Sequence, residues 1–297
     1  MNRLACFLFF DEGPGAGLGH RRRMEALAAE LTHRGHSCTL CSLDERAARV
    51  PGGTPDVVIV DSYRVRADDG SFAPARVLVA VDDLAQDLAV DLVVDPSPGA
   101  IGATHRRARR VLAGAAYALV AVADDHPFET SVDEVERVLV TTGAADSSGA
   151  DARIATALAS SLDETRPEVE VRLVIGPWGA RDVPAGVVPV HAPDGLAREL
   201  AAAQVVVTAG GVALLESCVL GRPTVALALA ENQRQAVRGL EHAHAVLSAT
   251  PETVVETVMT LIDDRSRRIA LGVAARSAID GKGATRIADT IEQLVSR

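Results

Sequence analysis

One stretch constrains the fold of this chain more than any other: residues 210–233, which read GGVALLESCVLGRPTVALALAENQ. An apolar strand, VVVTA, runs directly into the pair Gly210-Gly211. A short apolar helix is predicted from about Val212 to Leu220, and a second buried strand follows Pro223. A strand, a glycine turn, a helix and a further strand in this order are typical of a parallel α/β sheet.

The same stretch predicts a ligand site. Because they have no side chains, Gly210 and Gly211 would let a ligand approach the backbone, and free N–H groups of the next helix could hold a phosphate. Glu216 lies one turn further on, where its carboxylate can accept from a ribose diol. Asn232 and Gln233 open the next helix with polar side chains. The alternative is that the glycines only turn the chain tightly, since such motifs are common in α/β proteins.

Length and composition indicate two α/β domains. The chain has 297 residues, enough for two domains of ~150 each. Hydrophobic residues make up 48% but aromatic ones only 3%, as expected where Ala, Val and Leu fill parallel strands buried on both faces. The charged segment 126–136 is predicted as a linker between domains at 1–127 and 137–297, with the last helix a candidate to pack back on the first domain.

In the first domain, strands alternate with helical or loop crossovers, the pattern of a doubly wound parallel sheet. A helix is predicted from about His20 to Arg34. Since ligands bind at the carboxyl ends of such strands, the polar residues that follow them should line one edge. The strands are predicted at 4–10, 38–43, 55–63, 75–84 and 91–98, with 118–122 as a candidate sixth. The polar residues are Asp11, Asp61, Tyr63, Asp82, Asp83 and Asp95.

The second domain repeats the pattern, beginning with a strand at Arg137 and a turn at Gly143. Further strands are predicted at 170–175, 187–191 and 205–209, with helices at 151–162 and 195–203. From about Pro251 the apolar spacing predicts helices to the end of the chain.

His20 is the first candidate for chemistry. It follows a glycine-rich loop that contains Gly17 and Gly19, and it stands at the predicted start of a helix. A histidine there can act as a general base near neutral pH, because the positive helix end disfavours its protonated form. Arg23, one turn further on, could hold a carboxylate or phosphate. The alternative is a helix-capping or merely exposed histidine; the other histidines, His105 among them, indicate no site.

A second candidate is the Asp61-Ser62-Tyr63 segment at the end of the predicted third strand. Its side chains would point into the expected site, where Tyr63 could donate to a sugar or diphosphate oxygen. The alternative is an ordinary Asx turn that ends the strand. The same two interpretations apply to Asp82-Asp83.

Several function classes are excluded or disfavoured. A net charge of −10 argues against general nucleic-acid binding, and the basic residues at 106–110 are interpreted as a solvated helix face. The sequence has no Asp-rich metal loop, no GxSxG elbow and no GxxxxGK[ST] loop. We expect neither a metal ion nor another cofactor.

Membrane and secretory signals are also missing. No apolar run reaches the ~18 residues of a membrane span, and the first ten residues have the wrong flanks for a signal peptide. A cytoplasmic protein is expected. Cys38 and Cys41 resemble a CxxC pair, but on a strand positions i and i+3 face opposite sides, so we expect two packing thiols.

Together these segments resemble a known family. GLGHRRRMEALAAEL resembles its Gly-x-Gly-His-x-x-Arg opening, and VDSYRV its Asp-x-Tyr strand end. VAVDDLA, LAGAAYALV, VLVTTGAAD, RLVIG and the stretch at 210–233 follow in the family's order. The family is the UDP-2,4-diacetamido-2,4,6-trideoxy-altropyranose hydrolase of pseudaminic acid biosynthesis. It is related to the two-domain GT-B glycosyltransferases, and the resemblance covers about the whole chain.

The resemblance implies two Rossmann-like domains with parallel sheets facing across a cleft, and a metal-independent reaction. By analogy, His20 activates the attacking water or acceptor hydroxyl, and Tyr63 is catalytic. Gly17, Gly19, Arg23 and Asp61 would complete the sugar side of the site. The UDP would be held by the second domain, through Gly143, Gly210, Gly211, Glu216, Asn232 and Gln233.

The sequence departs from the family after the glycine pair, where Val212 and Ala213 replace the usual Ser-Thr. Gly143 is likewise followed by two alanines where the family has Gly-Ser. Hydroxyl donors to the diphosphate are therefore missing. Three functions stay open: a nucleotide-sugar hydrolase that releases UDP by inverting attack of water, an inverting glycosyltransferase on a small acceptor, and a non-catalytic nucleotide-sugar-binding partner.

Overall fold

A computed structural model of the chain describes residues 3–43, 54–72, 74–122, 134–143, 149–178, 183–192 and 195–297. The chain divides into two compact units. The first unit comprises Met1–Ala121 and Gly281–Arg297, and the second comprises Val122–Asp280. The predicted linker at 126–136 lies largely outside the described residues.

The first unit contains a parallel sheet of six described strands in the order β2-β1-β3-β4-β5-β6. Helix α1 follows β1, and the C-terminal helix, here α8, packs on the same sheet. The strands are β1 (Ala5–Phe10), β2 (Ser37–Ser42), β3 (Val57–Asp61), β4 (Val77–Val81), β5 (Leu92–Asp95) and β6 (Arg110–Ala113). The helices are α1 (Gly19–His33) and α8 (Gly283–Val295), with a short 3-10 turn at Ala115–Tyr117.

Alternation along β1 explains how this sheet is buried on both faces. Cys6 and Leu8 point into a core that also contains Leu27 of α1 and Ile291 of α8. Phe7 and its neighbours on the same face enter a second core. Strands covered on both faces need continuous apolar sequence, which is what β1, β3 and β4 have.

Helix α8 is tied to the first unit by close packing and by charge. A Cβ on Gly283 would lie 2.1 Å from the carbonyl oxygen of Ala118, so only glycine allows this approach. The Arg34 guanidinium, just after α1, donates to Asp289 and Glu292 of α8. The chain therefore returns to its first unit after completing the second.

The sixth strand was predicted in the wrong place. It lies at Arg110–Ala113, whereas 118–122 forms neither helix nor strand. Ala118 and Leu119 are nevertheless buried, because an apolar run can pack against a core without joining a sheet. The interpretation of the basic run as a helix face was also wrong, since residues 106–109 form turns and Arg110 opens β6.

The second unit contains another parallel sheet of six described strands, in the order β12-β11-β10-β7-β8-β9. The short edge strand β12 was not predicted, since its sequence, LSA, has little apolar pattern. The strands are β7 (Arg137–Thr141), β8 (Glu170–Val174), β9 (Val187–Val190), β10 (Val205–Ala209), β11 (Thr224–Leu227) and β12 (Leu247–Ala249). The helices are α2 (Ala150–Thr165), α3 (Ala197–Ala202), α4 (Val212–Val219), α5 (Gln233–His242), α6 (Val254–Asp263) and α7 (Arg265–Ala278).

Each sheet has a point at which the strand order reverses. In the first sheet β1 lies between β2 and β3, and in the second β7 lies between β10 and β8. Crevices outside the carboxyl ends of strands at such points are where doubly wound sheets bind ligands. The residues that follow β1, β3, β7 and β10 are therefore the positions at which to look for a site.

The structure confirms that Cys38 and Cys41 face opposite sides of the sheet. Cys38 packs on the core that contains α1, and Cys41 lies in the core on the opposite face of the sheet. Within the described residues, none of the helices combines the length and the apolar character that crossing a membrane requires.

Candidate active site

A tight glycine loop places His20 at the carboxyl end of β1. Gly13 and Gly17 both have positive φ, of 121° and 72°, which side chains rarely adopt. The Gly17 N–H donates to the Gly13 carbonyl at 2.8 Å and closes the turn. Helix α1 then begins at Gly19, so His20 falls in its first turn. The glycines fix the entry of the chain into the helix, and through it the position of the imidazole.

His20 and Asp61 form a buried pair. The Nδ1 atom of His20 lies 2.6 Å from Oδ1 of Asp61, and the two side chains are only 3% and 1% exposed. We assign the proton to Nδ1, because the Asp61 carboxylate can only accept and lies closer to Nδ1 than the donor Nη2 of Arg23, at 2.6 Å against 3.1 Å. The other ring nitrogen, Nε2, makes no hydrogen bond with any residue that the structure describes. In this tautomer Nε2 is a lone-pair acceptor, as a general base requires.

Arg23 holds Asp61 from the other side. Its Nε and Nη2 atoms each donate to one oxygen of Asp61 at 2.8 Å, and its Nη1 donates to Asp83 at 2.6 Å. Burial opposes the charge on Arg23, but Asp61 and Asp83 outweigh it and raise the pKa of Arg23 well above its ordinary value. A permanently charged guanidinium with two parallel hydrogen bonds orients the Asp61 carboxylate. Arg23 thus positions the pair, and its predicted contact with substrate stays a prediction.

Tyr63 contacts the imidazole of His20. Its ring meets His20 edge to face, with centroids 4.3 Å apart and planes at 84°. Burial opposes ionisation of Asp83, but the charge of Arg23 and hydrogen bonds from Arg23 and Tyr63 hold the pKa of Asp83 below its ordinary value. Tyr63 is 42% exposed. His20, Asp61, Arg23, Asp83 and Tyr63 therefore form one connected ring of contacts.

Asp11 holds the loop that carries Tyr63. Its carboxylate accepts from the Ser62 hydroxyl, the Tyr63 N–H and the Arg64 guanidinium at 2.8–3.0 Å. Burial opposes the charge on Asp11, but these donors outweigh it and lower its pKa. Asp11 was predicted at this edge; its partner Arg64 was not recognised, and a lone arginine in a loop carries no signal that would reveal it.

Asp82 and Asp95 form a separate buried group around His105. Each carboxylate lies 3.7 Å from one ring nitrogen of His105, whose Nδ1 is 2.8 Å from the Gln86 carbonyl. Burial raises the pKa of both Asp82 and Asp95. The sequence did not single out His105, although its side chain is fully buried between these acids.

In the second unit, the turns after β7 and β10 start from neighbouring strand ends, since Thr141 and Thr208 are paired. Gly143 has a positive φ of 119°. A Cβ added there, or at Gly211, would meet no atom of the described residues within 4 Å. Both glycines therefore border open space at the point where the strand order reverses.

Gly210 differs from its neighbour. A Cβ at this position would lie 2.9 Å from atoms of Gln233 and Val237 in α5. The close packing of Gly210 against α5 is therefore enough to explain why this residue is a glycine. The Gly210 and Gly211 N–H groups already donate to Leu227 and Ala209, and the Leu214 N–H donates to Gly211. A phosphate at this turn would therefore depend on the remaining amides at the start of α4.

The polar candidates of the second unit lie on α4 and α5. Glu216 is buried in the second turn of α4. The Gln233 side chain accepts from the N–H groups of Leu229 and Ala230, so it fixes the loop before α5. Asn232 precedes that helix and is half-buried. Contacts of these residues with a nucleotide sugar stay predictions.

The structure thus brings His20, Arg23, Asp61 and Tyr63 into contact in the first unit. Gly143, Gly210, Gly211, Glu216, Asn232 and Gln233 all belong to the second. In the described part of the chain, no three His, Cys, Asp or Glu side chains are grouped to hold a metal ion. Metal independence stays a prediction.

The fold is similar to that of several solved glycosyltransferases. The calicheamicin glycosyltransferase CalG4 aligns with a TM-score of 0.62 at 16% identity, over 100% of this chain and 99% of its own. The spinosyn rhamnosyltransferase SpnG, solved with thymidine diphosphate, aligns at 0.64 and 17%, over 98% and 100%. MurG of Acinetobacter baumannii aligns at 0.59 and 15%, over 97% and 99%.

The chain has the GT-B glycosyltransferase fold. The predicted fold class, two Rossmann-like domains with parallel sheets, is confirmed by these similarities and by the two sheets themselves. The sequence matches no protein-family model and no curated protein. At 15–17% identity the likeness concerns the fold, and function must be argued from the site.

Proposed function

We propose that this chain is an enzyme that transfers a glycosyl group from a nucleotide sugar to a hydroxyl acceptor. The observation that carries the proposal is the His20–Asp61 pair: a buried carboxylate fixes Nδ1 of the imidazole, and Nε2 is left as the proton acceptor. A GT-B fold supports it, since the solved proteins of this fold reported above include glycosyltransferases.

The reaction proceeds by proton removal coupled to displacement. Nε2 of His20 takes the proton of the acceptor hydroxyl while its oxygen forms a bond to the anomeric carbon. The bond from that carbon to the diphosphate oxygen breaks, and the nucleoside diphosphate leaves with the electron pair. Asp61 stabilises the imidazolium that results, as the third member of a catalytic triad does.

This arrangement predicts inversion at the anomeric carbon. Retention by double displacement needs a carboxylate free to attack the sugar. Asp61 and Asp83 are both engaged by Arg23, so neither is available as that nucleophile. A single displacement by the activated hydroxyl inverts the configuration.

The second unit is proposed to bind the nucleotide. The turns at Gly143 and Gly211 and the N-terminus of α4 would hold the diphosphate, through backbone amides and the helix dipole. Glu216 would accept from the ribose hydroxyls. Val212 and Ala213, the first residues of α4, offer no hydroxyl to the phosphates, so backbone amides would carry that contact alone.

Hydrolysis is the second candidate, with water in place of the acceptor. The observation that favours it is the contact of His20, Asp61 and Tyr63, the three residues on which the resemblance to the UDP-sugar hydrolases rests in the first unit. The same base and the same inversion apply, so only the acceptor distinguishes the two reactions.

The test is a screen of UDP- and dTDP-linked sugars, including a UDP-linked diacetamido-trideoxy sugar, for release of the nucleoside diphosphate. If the chain transfers the sugar, release of the nucleoside diphosphate should rise at least ~10-fold when an acceptor alcohol is added. NMR should then show a glycoside with inverted anomeric configuration. Hydrolysis predicts acceptor-independent release and free sugar. Nucleotide binding by calorimetry without any turnover would overturn both and leave a non-catalytic binding protein.

The same assay tests for a metal. Helix N-termini and turn amides can neutralise the diphosphate without a cation, so turnover should persist in EDTA. Loss of turnover in EDTA, restored by Mg²⁺ or Mn²⁺, would contradict this part of the proposal.

A further inference from the structure

Two cysteines in the first unit lie opposite each other on neighbouring strands. Cys6 of β1 pairs with Cys38 of β2 in parallel register, and both belong to the face covered by α1. Neighbouring strands run ~4.7–4.9 Å apart. Disulfides span Cα separations of about 4.4–6.8 Å, so the two positions are within bridging range.

The two thiols form an unequal pair. A hydrogen bond from the Cys6 thiol, aided by one from the Thr32 hydroxyl, lowers the pKa of Cys38 against the opposing effect of burial. The same contact with Cys38, together with burial, raises the pKa of Cys6. The proton therefore stays on Cys6 and the negative charge develops on Cys38. Thiolate is the form of cysteine that attacks oxidants.

Cys38 differs from the other cysteines in its exposure to solvent. Cys38 is half-buried, whereas Cys6, Cys41 and Cys218 are fully buried. Burial raises the pKa of Cys218 to about 12, which leaves it a protonated, unreactive thiol. In addition, β2 pairs only with β1 among the described strands, so it can shift by the few tenths of an ångström that an S–S bond demands.

We propose that Cys38 and Cys6 are a reversible oxidation site for hydrogen peroxide. The Cys38 thiolate attacks one peroxide oxygen, the S–O bond forms, the O–O bond breaks, and the sulfenic acid and hydroxide result. The released hydroxide takes the Cys6 proton and leaves as water, the Cys6 thiolate attacks Sγ of Cys38, an S–S bond forms, and the displaced hydroxide leaves as water with the proton that Cys38 gave up. Overall, two thiols and one peroxide give one disulfide and two waters, and a dithiol reverses it.

The experiment is a mass measurement on the full chain. The reduced protein is treated with hydrogen peroxide, denatured and alkylated with N-ethylmaleimide, and intact mass and peptide mapping follow. The expected result is that two of the four cysteines become unreactive, with a Cys6–Cys38 cross-linked peptide that dithiothreitol removes. Peroxide that leaves both thiols open to alkylation, or that links either of them to Cys41 or Cys218, would overturn the proposal.

Variants separate the roles of the two sulfurs. Cys6→Ser keeps a hydroxyl donor but cannot bridge, so Cys38 should stop at the sulfenic acid, which dimedone traps. Cys6→Ala removes the donor, and iodoacetamide should then modify Cys38 several-fold more slowly than in the unmodified protein. Cys218→Ser is the matched control and should leave the disulfide yield unchanged. None of these readouts depends on the proposed glycosyl transfer.

Discussion

The imidazole of His20 lies 2.6 Å from the carboxylate of Asp61, although 41 positions separate the two residues in the chain. The sheet explains the contact. Strands β1 and β3 are neighbours, with Phe10 paired to Asp61, and α1 starts just beyond β1 and carries His20 back over the end of β3. A histidine and an acid from different crossovers thus meet at the point where the strand order reverses.

His20→Asn should remove the general base while preserving size and polarity. We expect turnover to fall by the ~10²–10⁴ typical of a lost general base, with nucleotide affinity almost unchanged, because the nucleotide is proposed to bind the other unit. Asp61→Asn should also lower kcat, since an amide cannot fix the Nδ1–H tautomer as a carboxylate does. Steady-state kinetics and nucleotide calorimetry measure the two effects. Near-native turnover by His20→Asn would leave the acids at the strand ends as the candidates.

Sequence patterns predicted most of this architecture because buried parallel strands must be apolar throughout. The glycine loop before His20 and the acid at the end of β3 were both recognised. Their contact could not be predicted, because it depends on β3 rather than β2 lying on that side of β1. Strand order depends on how the connecting segments pack against the sheet. Local sequence patterns do not show this packing.

Other features were missed for equally physical reasons. Arg23 was predicted to hold a carboxylate or a phosphate; it holds the carboxylates of Asp61 and Asp83, and nothing in a sequence distinguishes internal carboxylates from those of a ligand. His105 was not singled out, because its local sequence indicates no site, yet it is buried. Gly210 and Gly211 look alike in sequence, but only the structure shows that one packs against α5.

Arg23→Lys tests whether the guanidinium positions the catalytic pair. A lysine keeps the charge but cannot donate in parallel to both oxygens of Asp61 and also reach Asp83. We expect kcat to fall roughly 10–100-fold, as when a residue that orients a catalytic side chain is lost. The KM for the nucleotide-sugar donor should change little. Arg22→Lys is the matched control, since Arg22 lies on the same turn and contacts Glu25 instead. Equal kinetics for both variants would remove Arg23 from this role.

Gly210→Ala and Gly211→Ala should affect different properties. At Gly210 the new methyl group would lie 2.9 Å from atoms of α5, so we expect the free energy of unfolding to fall by about 1–3 kcal/mol. At Gly211 the methyl has space in the folded protein and should instead obstruct a bound diphosphate. Thermal unfolding and UDP or dTDP titration separate the two. Unchanged nucleotide affinity in Gly211→Ala would place the diphosphate elsewhere.

Asp11→Asn tests how much the ionised Asp11 carboxylate stabilises the folded protein. The folded-state pKa of Asp11 lies below its ordinary value, so its stabilising effect is complete above the ordinary Asp value of ~3.9 and is lost as pH falls through the folded-state pKa. The variant should therefore unfold more easily at pH 7, by about 1–3 kcal/mol for lost hydrogen bonds to a charged group. This deficit should shrink toward pH 3 in pH-dependent denaturation.

Asp95→Asn should show the opposite dependence. Burial raises the pKa of Asp95, so the folded state holds a proton that the unfolded chain releases at ~3.9. By linkage, the native protein loses stability as pH rises from ~3.9 through the raised value, because ionising this buried carboxyl near Asp83 costs free energy. An asparagine does not ionise, keeps the acceptor for the Ser97 N–H, and can donate toward Nε2 of His105. The variant should thus gain stability relative to the native protein between pH 4 and pH 7. A melting-temperature difference that is constant over this range would show that Asp95 is ionised equally in both states.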